Sequence, residues 1–176
     1  MKFIATFLLL SLSLAAQAED KKPTTLRGVL LEQLRTTHNQ KDWFVPVNVA
    51  VEGLTAEQAT WTDGHGNHSI GQLANHLLFW NTDQLARFKG ETPPKYSGDN
   101  NETFNNFDAK KWTETVHQLD EVLNAWEKAV EGADDKKLQE WASAIAHIGA
   151  HNAYHTGQII YIRRVQGSWD PEKGVK

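Results

Sequence analysis

Residues 147–164 read HIGAHNAYHTGQIIYIRR, with histidines at 147, 151 and 155. In an α-helix, residues four apart stand one turn above each other on one face. Two imidazoles so placed can point at a single ion, the way a helix offers two nitrogen ligands to a transition metal. The apolar residues of the stretch choose the pair. Ala144, Ile148, Ile159 and Ile162 form a stripe, and at roughly 100° per residue its centre falls near His151 and His155. His147 falls toward the stripe's edge, beside Gln158 and Val165. His151 and His155 are therefore the expected inward pair, with His147 as a flanking residue. Two ligands hold a metal poorly, so a third is sought elsewhere.

Reading outward, three more helical patterns appear, and no run alternates with the period of a strand. Helix 1 is expected over about Thr25 to Lys41, with Leu26, Val29, Leu30, Leu34 and Thr37 on its apolar face. Pro46 stops it. Residues 42–67 read as a connection with one short turn at Thr55–Gln58. Helix 2 opens on a capping box: the Ser69 hydroxyl takes a free amide while Gln72 reaches back to the cap. Its apolar face is Ile70, Leu73, Leu77, Trp80 and Phe88, and Gly90 suits its C-cap. Residues 89–109, rich in Gly, Pro and Asn, form a long irregular connection. Helix 3 opens with Asp108 as its cap and carries Trp112, Val116, Leu119, Leu123, Trp126 and Val130 at steps of three and four. Gly132 ends it. Helix 4, the opening stretch, is expected from near Lys137, with a break around Trp141, to a stop at Gly167. The tail reads as coil anchored by Trp169. The expected fold is all-α, a four-helix bundle. Its two long connections point to crossovers rather than a simple up-down-up-down order.

The N-terminus carries different information. Residues 1–18, MKFIATFLLLSLSLAAQA, combine a basic Lys2, an apolar run too short to span a membrane, and a small-residue cleavage site at Ala16-Gln17-Ala18. They read as a signal peptide cleaved after Ala18, leaving residues 19–176 as one domain in the periplasm or secreted. An uncleaved N-terminal anchor is the alternative. The net charge of −4 and the lack of a Lys/Arg stripe give no footing for nucleic acid, and the cleaved form has no membrane segment. With no cysteine, the domain stands on its core without disulfides. Any metal site must use His, Asp or Glu, and a thiol nucleophile is ruled out.

The third ligand is sought among His38, His65, His68, His76 and His117. His117 sits on a polar helix face and reads as solvated. His65 and His68 lie in DGHGNH, which is turn chemistry first. His38 is near the C-terminal end of helix 1, where an imidazolium suits the dipole. His76 stands mid-helix between Leu73 and Trp80, where an imidazole is costly unless its nitrogens are satisfied. It is either a core histidine bonded to a neighbour or the third ligand, and ligation is the preferred reading.

HSIGQLANHLLFWN at 68–81, followed by HNAYHTGQIIYIRRVQG at 151–167, resembles the DinB-like superfamily of four-helix bundles. The Gly157-Gln158 pair, the Arg-x-x-Gly near the end, and Glu52-Gly53-Leu54-Thr55 before Trp61 also fit its pattern. The resemblance implies an up-down-down-up bundle with a long crossover between helices 2 and 3, here residues 89–109. It implies a divalent metal held by His76, His151 and His155. More loosely, it implies a metal-dependent hydrolase or a thiol-dependent transferase. Export weakens the transferase reading, because low-molecular-weight thiols belong mainly to reducing cytosol.

Three neutral imidazoles around a dication leave a position open and make hydroxide available near neutral pH. The set suits zinc first, with nickel or iron as alternatives. The expected function is a hydrolase acting on a small molecule. A metal- or ligand-binding module without turnover is the rival, because no general base is evident. Asp83 and Glu32 are candidates, Asn75 and Tyr154 could orient water, and Asp83 reads better as an ion-pair partner of Arg87 at i+4. Trp43, Phe44, Trp61 and Trp80 could line a pocket mouth or simply belong to the core. A homodimer stays open.

Overall fold

Thr25 starts the first long helix by accepting the Gly28 amide on its side chain, and α1 then runs Leu26–His38. The structure, a computed structural model, describes residues 22–175, so the expected signal peptide at 1–18 lies outside the described residues. Two five-residue helices follow, α2 at Val47–Val51 and α3 at Ala56–Thr60. The second opens on a capping box of Thr55 and Gln58. The Ser69–Gln72 capping box then launches α4, Ile70–Lys89, and Gly90 closes it in the left-handed region at φ 78°. The long connection contains α5, Asn101–Asn105, and a 3₁₀ turn at Ala109–Lys111 whose cap is Asp108. The last two long helices are α6, Trp112–Gly132, and α7, Asp135–Val165. The described residues contain no strand.

Cross-helix contacts set the directions. Arg27 bonds the Val130 carbonyl while His38 meets Asp120, so α1 and α6 run antiparallel. Arg27 pairs with Asp135 and Gln33 lies against Gly149, so α1 and α7 run parallel. His76 faces His151 and Phe88 faces Trp141, so α4 runs against α7. The order is up-down-down-up, and α1 and α4 each pack against both α6 and α7. Two consecutive long helices pointing the same way require a return strand of chain, which is the crossover of residues 90–111. Its far end lies hard on α4: a Cβ at Gly71 would come within 2.2 Å of the Phe107 ring. Glycine at 71 is what lets the crossover lie so close.

The core is continuous from Leu30 and Leu34 through Leu73 and Leu77 to Trp126, Ile145 and Ile159. The face of α1 differs from the expected one. Leu26 and Val29 are about two-fifths exposed, and Leu30, Leu31, Leu34, Thr37 and His38 are the buried set. The stripe turns because α1 must meet α6 as well as α7, and His38 is drawn inward to bond Glu127 and Asp120. The break expected near Trp141 is absent. No glycine or proline stands between Asp135 and Ile148, and Trp141 packs edge-on against Phe88 at 5.4 Å. At the C-terminus, Arg163 is buried and its guanidinium bonds the carbonyls of Ala50, Glu52 and Ser168. It also lies 5.4 Å from the Trp169 ring, which anchors the tail as expected. No helix among the described residues is long and apolar enough to cross a membrane.

Candidate metal centre

His76 leaves α4 at the point where α7 passes with His151 and His155, and the three form the one His/Asp/Glu group among the described residues with metal-holding spacing. One ring nitrogen of each lies within 4.8 Å of the others. The Nε2 atoms of His76 and His151 are 3.0 Å apart. His76 and His155 are buried and His151 is half-buried.

The bonds behind the rings decide which nitrogens face inward. The Thr103 hydroxyl donates to the Asn100 carbonyl at 2.7 Å, so its oxygen is free to accept from His76 Nδ1–H at 2.5 Å. That leaves His76 Nε2 with a lone pair toward His151. His155 Nδ1–H donates to Gln158 Oε1 at 2.6 Å, and the Gln158 amide in turn reaches the Tyr154 hydroxyl at 3.4 Å. Such outer bonds fix tautomer and ring orientation in histidine metal sites. Phe104 clamps the first ring further. It stacks on His76 at 3.8 Å and, with its other face, on His68 at 3.9 Å.

The electrostatics favour neutral rings. Burial, followed by the neighbouring His155, His151 and His68, pushes His76 down to about 3. Burial and His155 push His151 down to about 4. Burial lowers His155 as well, against the opposing pull of its bond to Gln158. Neutral imidazoles with inward lone pairs are what a divalent ion requires, and protonated ones are not. The donor set thus fits the ion: three neutral nitrogens within 4.8 Å of one another, on rings two of which are tautomer-locked. In metal-free protein the same geometry is satisfied by a His151 Nε2–H donating to His76 Nε2.

His76 and His151 line one end of a cleft of about 770 Å³ between α4 and α7, with His155 behind them. His76, Trp80 and Gln84 line it from α4, and Asn100 from the crossover. Ala144, His147, Ile148, His151 and Tyr154 line it from α7. His147 is therefore nearer the chemistry than its flanking place on the helix wheel suggests, exposed on the cleft wall. Trp43, Phe44 and Trp61 are exposed and do not line this cleft; only Trp80 of that aromatic set does. Neither carboxylate considered as a base lines it. Glu32 is exposed on α1, and Asp83 is buried in an ion pair with Arg87 at 2.8 Å. Asn75 holds the crossover by donating to the Thr103 carbonyl.

The other histidines settle apart. His38, fully buried, bridges Glu127 at 2.6 Å and Asp120 at 2.9 Å, tying α1 to α6 rather than capping a dipole. His117 is exposed and pairs loosely with Glu121. His65 is exposed in its turn. Sequence reading missed Thr103, Phe104 and Asn100, because they reach the site from the middle of the long connection, on and beside the short helix α5. Gln158 was within reach of it, standing at i+3 from His155 on the same helix.

No curated protein and no solved structure matches the chain. The DinB superfamily does match, over residues 47–159, from the start of α2 to one turn beyond His155. That span is well over half of the sequence and contains all three histidines, and the chain belongs to the DinB superfamily.

Proposed function

We propose that this chain is a metal-dependent hydrolase of a small molecule, with one divalent ion held by His76, His151 and His155. The observation that carries the reading is the neutral histidine cluster, two of its rings tautomer-locked, of which His76 and His151 open on the end of a cleft. A structural ion would be closed off by protein; a site that opens on a cleft of small-molecule size is a place for a reactant. A dication there supplies Lewis acidity, making hydroxide available near neutral pH and polarising a carbonyl oxygen. The chain's own part is to hold three neutral nitrogens and to keep His76 and His155 oriented through Thr103 and Gln158. Zinc is the first choice for three imidazoles, with nickel and iron as alternatives. The N-terminal segment supports a periplasmic or secreted setting, in which cleavage after Ala18 releases the domain.

One observation favours a rival. No carboxylate lines the cleft, so a binding module without turnover is consistent with the same geometry. The test is a panel of ester, amide and phosphate substrates on protein of measured metal content. Hydrolysis that a chelator abolishes and added metal restores supports the enzyme. Bound metal with no turnover across the panel transfers the reading to the module.

A further inference from the structure

The cleft has an order along its length. His76, Trp80 and Gln84 follow one another at i, i+4 and i+8 on α4, so about 12 Å separates the histidine end from the Gln84 end. Because α7 runs the other way, His151 faces His76, Ile148 faces the Trp80 level, and Ala144 faces Gln84. Trp80 and Ile148 give the middle its apolar surface. Trp80 is fixed there by edge contacts with Phe79 and Tyr96, each at 5.3 Å.

Two side-chain amides on the cleft wall are half-used. Gln84 donates its amide N–H to Asp83 Oδ2 at 2.9 Å, which leaves its carbonyl oxygen as an acceptor at the far end. Asn100 accepts the Trp80 indole N–H at 3.2 Å, which leaves its own amide N–H as a donor beside the wall. No Asp, Glu, Lys or Arg lines the cleft. Beyond His76, His147 and His151, a charged ligand group would find no counter-charge on the cleft wall.

We propose that the cleft selects neutral aromatic amides: acyl carbonyl at the histidine end, ring against Trp80 and Ile148, and an uncharged donor reaching Gln84. This rests on the hydrolase reading for its reaction but not for its binding. In the reaction the acyl C–N bond breaks, the hydroxyl of water goes to the acyl carbon, and the proton goes to the amine nitrogen.

Three compounds on one skeleton test it: 4-hydroxyacetanilide, acetanilide and 4-acetamidobenzoate. Affinities are measured by calorimetry on the purified protein, before and after chelator, with metal content determined in each sample. In both samples 4-hydroxyacetanilide should bind best. Acetanilide should be weaker by severalfold, and 4-acetamidobenzoate weaker by about tenfold or more. Gln84→Lys should invert the last comparison by giving the carboxylate a partner. Ala144→Phe, which fills the far end, should weaken 4-hydroxyacetanilide; melting curves confirm that both variants fold. Failure of all three compounds to bind, equal or tighter binding of the benzoate to the native protein, or no inversion in a folded Gln84→Lys would overturn the proposal. The predicted order in protein that takes up no metal would sink the hydrolase reading and leave the cleft assignment standing. Bound metal with the order reversed would do the opposite.

Discussion

At the level of single residues, the candidate site depends on protons held away from it. His76 offers Nε2 only because Nδ1–H is donated to Thr103, whose own hydroxyl is spent on Asn100. Thr103→Val keeps the shape and removes the acceptor, so either imidazole nitrogen can then carry the proton. Loss of such an outer partner costs about 10–100-fold in metal affinity. We expect a fall of that size, read by competition with a chromogenic zinc chelator, and an unchanged affinity would show that the bond does not set the tautomer. His151 and His147 make the sharper comparison. His151→Ala removes a nitrogen 3.0 Å from His76 Nε2 and should abolish stoichiometric metal. His147→Ala, on the exposed cleft wall, should retain it. Elemental analysis of the two variants decides, and equal loss of metal would mean that His147 belongs to the ligand set.

At the level of elements, the pairing of α4 with α7 is specified one turn from the histidines by a buried amide pair. Asn81 and Asn152, both essentially inaccessible, exchange bonds at 2.7 and 3.3 Å, and the Asn81 amide also bonds the Leu77 carbonyl. Asn152→Leu leaves the Asn81 side chain without its cross-helix partner in the core, at a cost of about 1–3 kcal/mol. Asn81→Leu/Asn152→Leu removes both polar groups and should be more stable than the single variant, because no orphaned amide remains. Urea unfolding of the cycle checks this; a double variant less stable than the single one would mean that the pair contributes more than mutual satisfaction. These helices were also the part most legible in sequence. The Ser69–Gln72 box and the steps of three and four in α6 are local signals, and the spacing of His151 and His155 is itself a helical statement. The helices α2 and α5 were illegible because five residues carry no usable period. Long-range bonds hold them instead, Arg163 to the Ala50 carbonyl and Asn75 to the Thr103 carbonyl. For the same reason the sequence showed the three histidines and hid Thr103 and Phe104, which act on His76 from the crossover.

For the whole molecule, the histidine cluster makes folding sensitive to acid. In the unfolded chain each imidazole titrates near its ordinary value of 6.5; in the fold His76 is held down to about 3 and His151 to about 4, with burial the first cause, and His155 is lowered too. Above about pH 6.5 neither state carries these protons, so their contribution to stability is flat. As pH falls below that value the unfolded chain takes up protons that the folded one refuses. Stability then drops by about 1.4 kcal/mol per pH unit for each such imidazole until its folded pKa is reached. Asp120, held below the usual carboxylate range by its bonds to His38 and Asn48 despite the opposing effect of burial, loses stability in the same direction at lower pH. A bound dication stabilises the folded state by mass action and competes with the same protons. Melting temperature against pH should therefore trace two curves. Chelated protein should be level above about pH 6.5 in respect of these groups and fall below it, and zinc-loaded protein should lie higher at neutral pH and converge on the first curve as acid releases the ion. Curves that coincide throughout would mean that the cluster is a hydrogen-bonded core and not a metal centre; a chelated protein that gained stability on acidification would mean that these imidazoles are not held neutral.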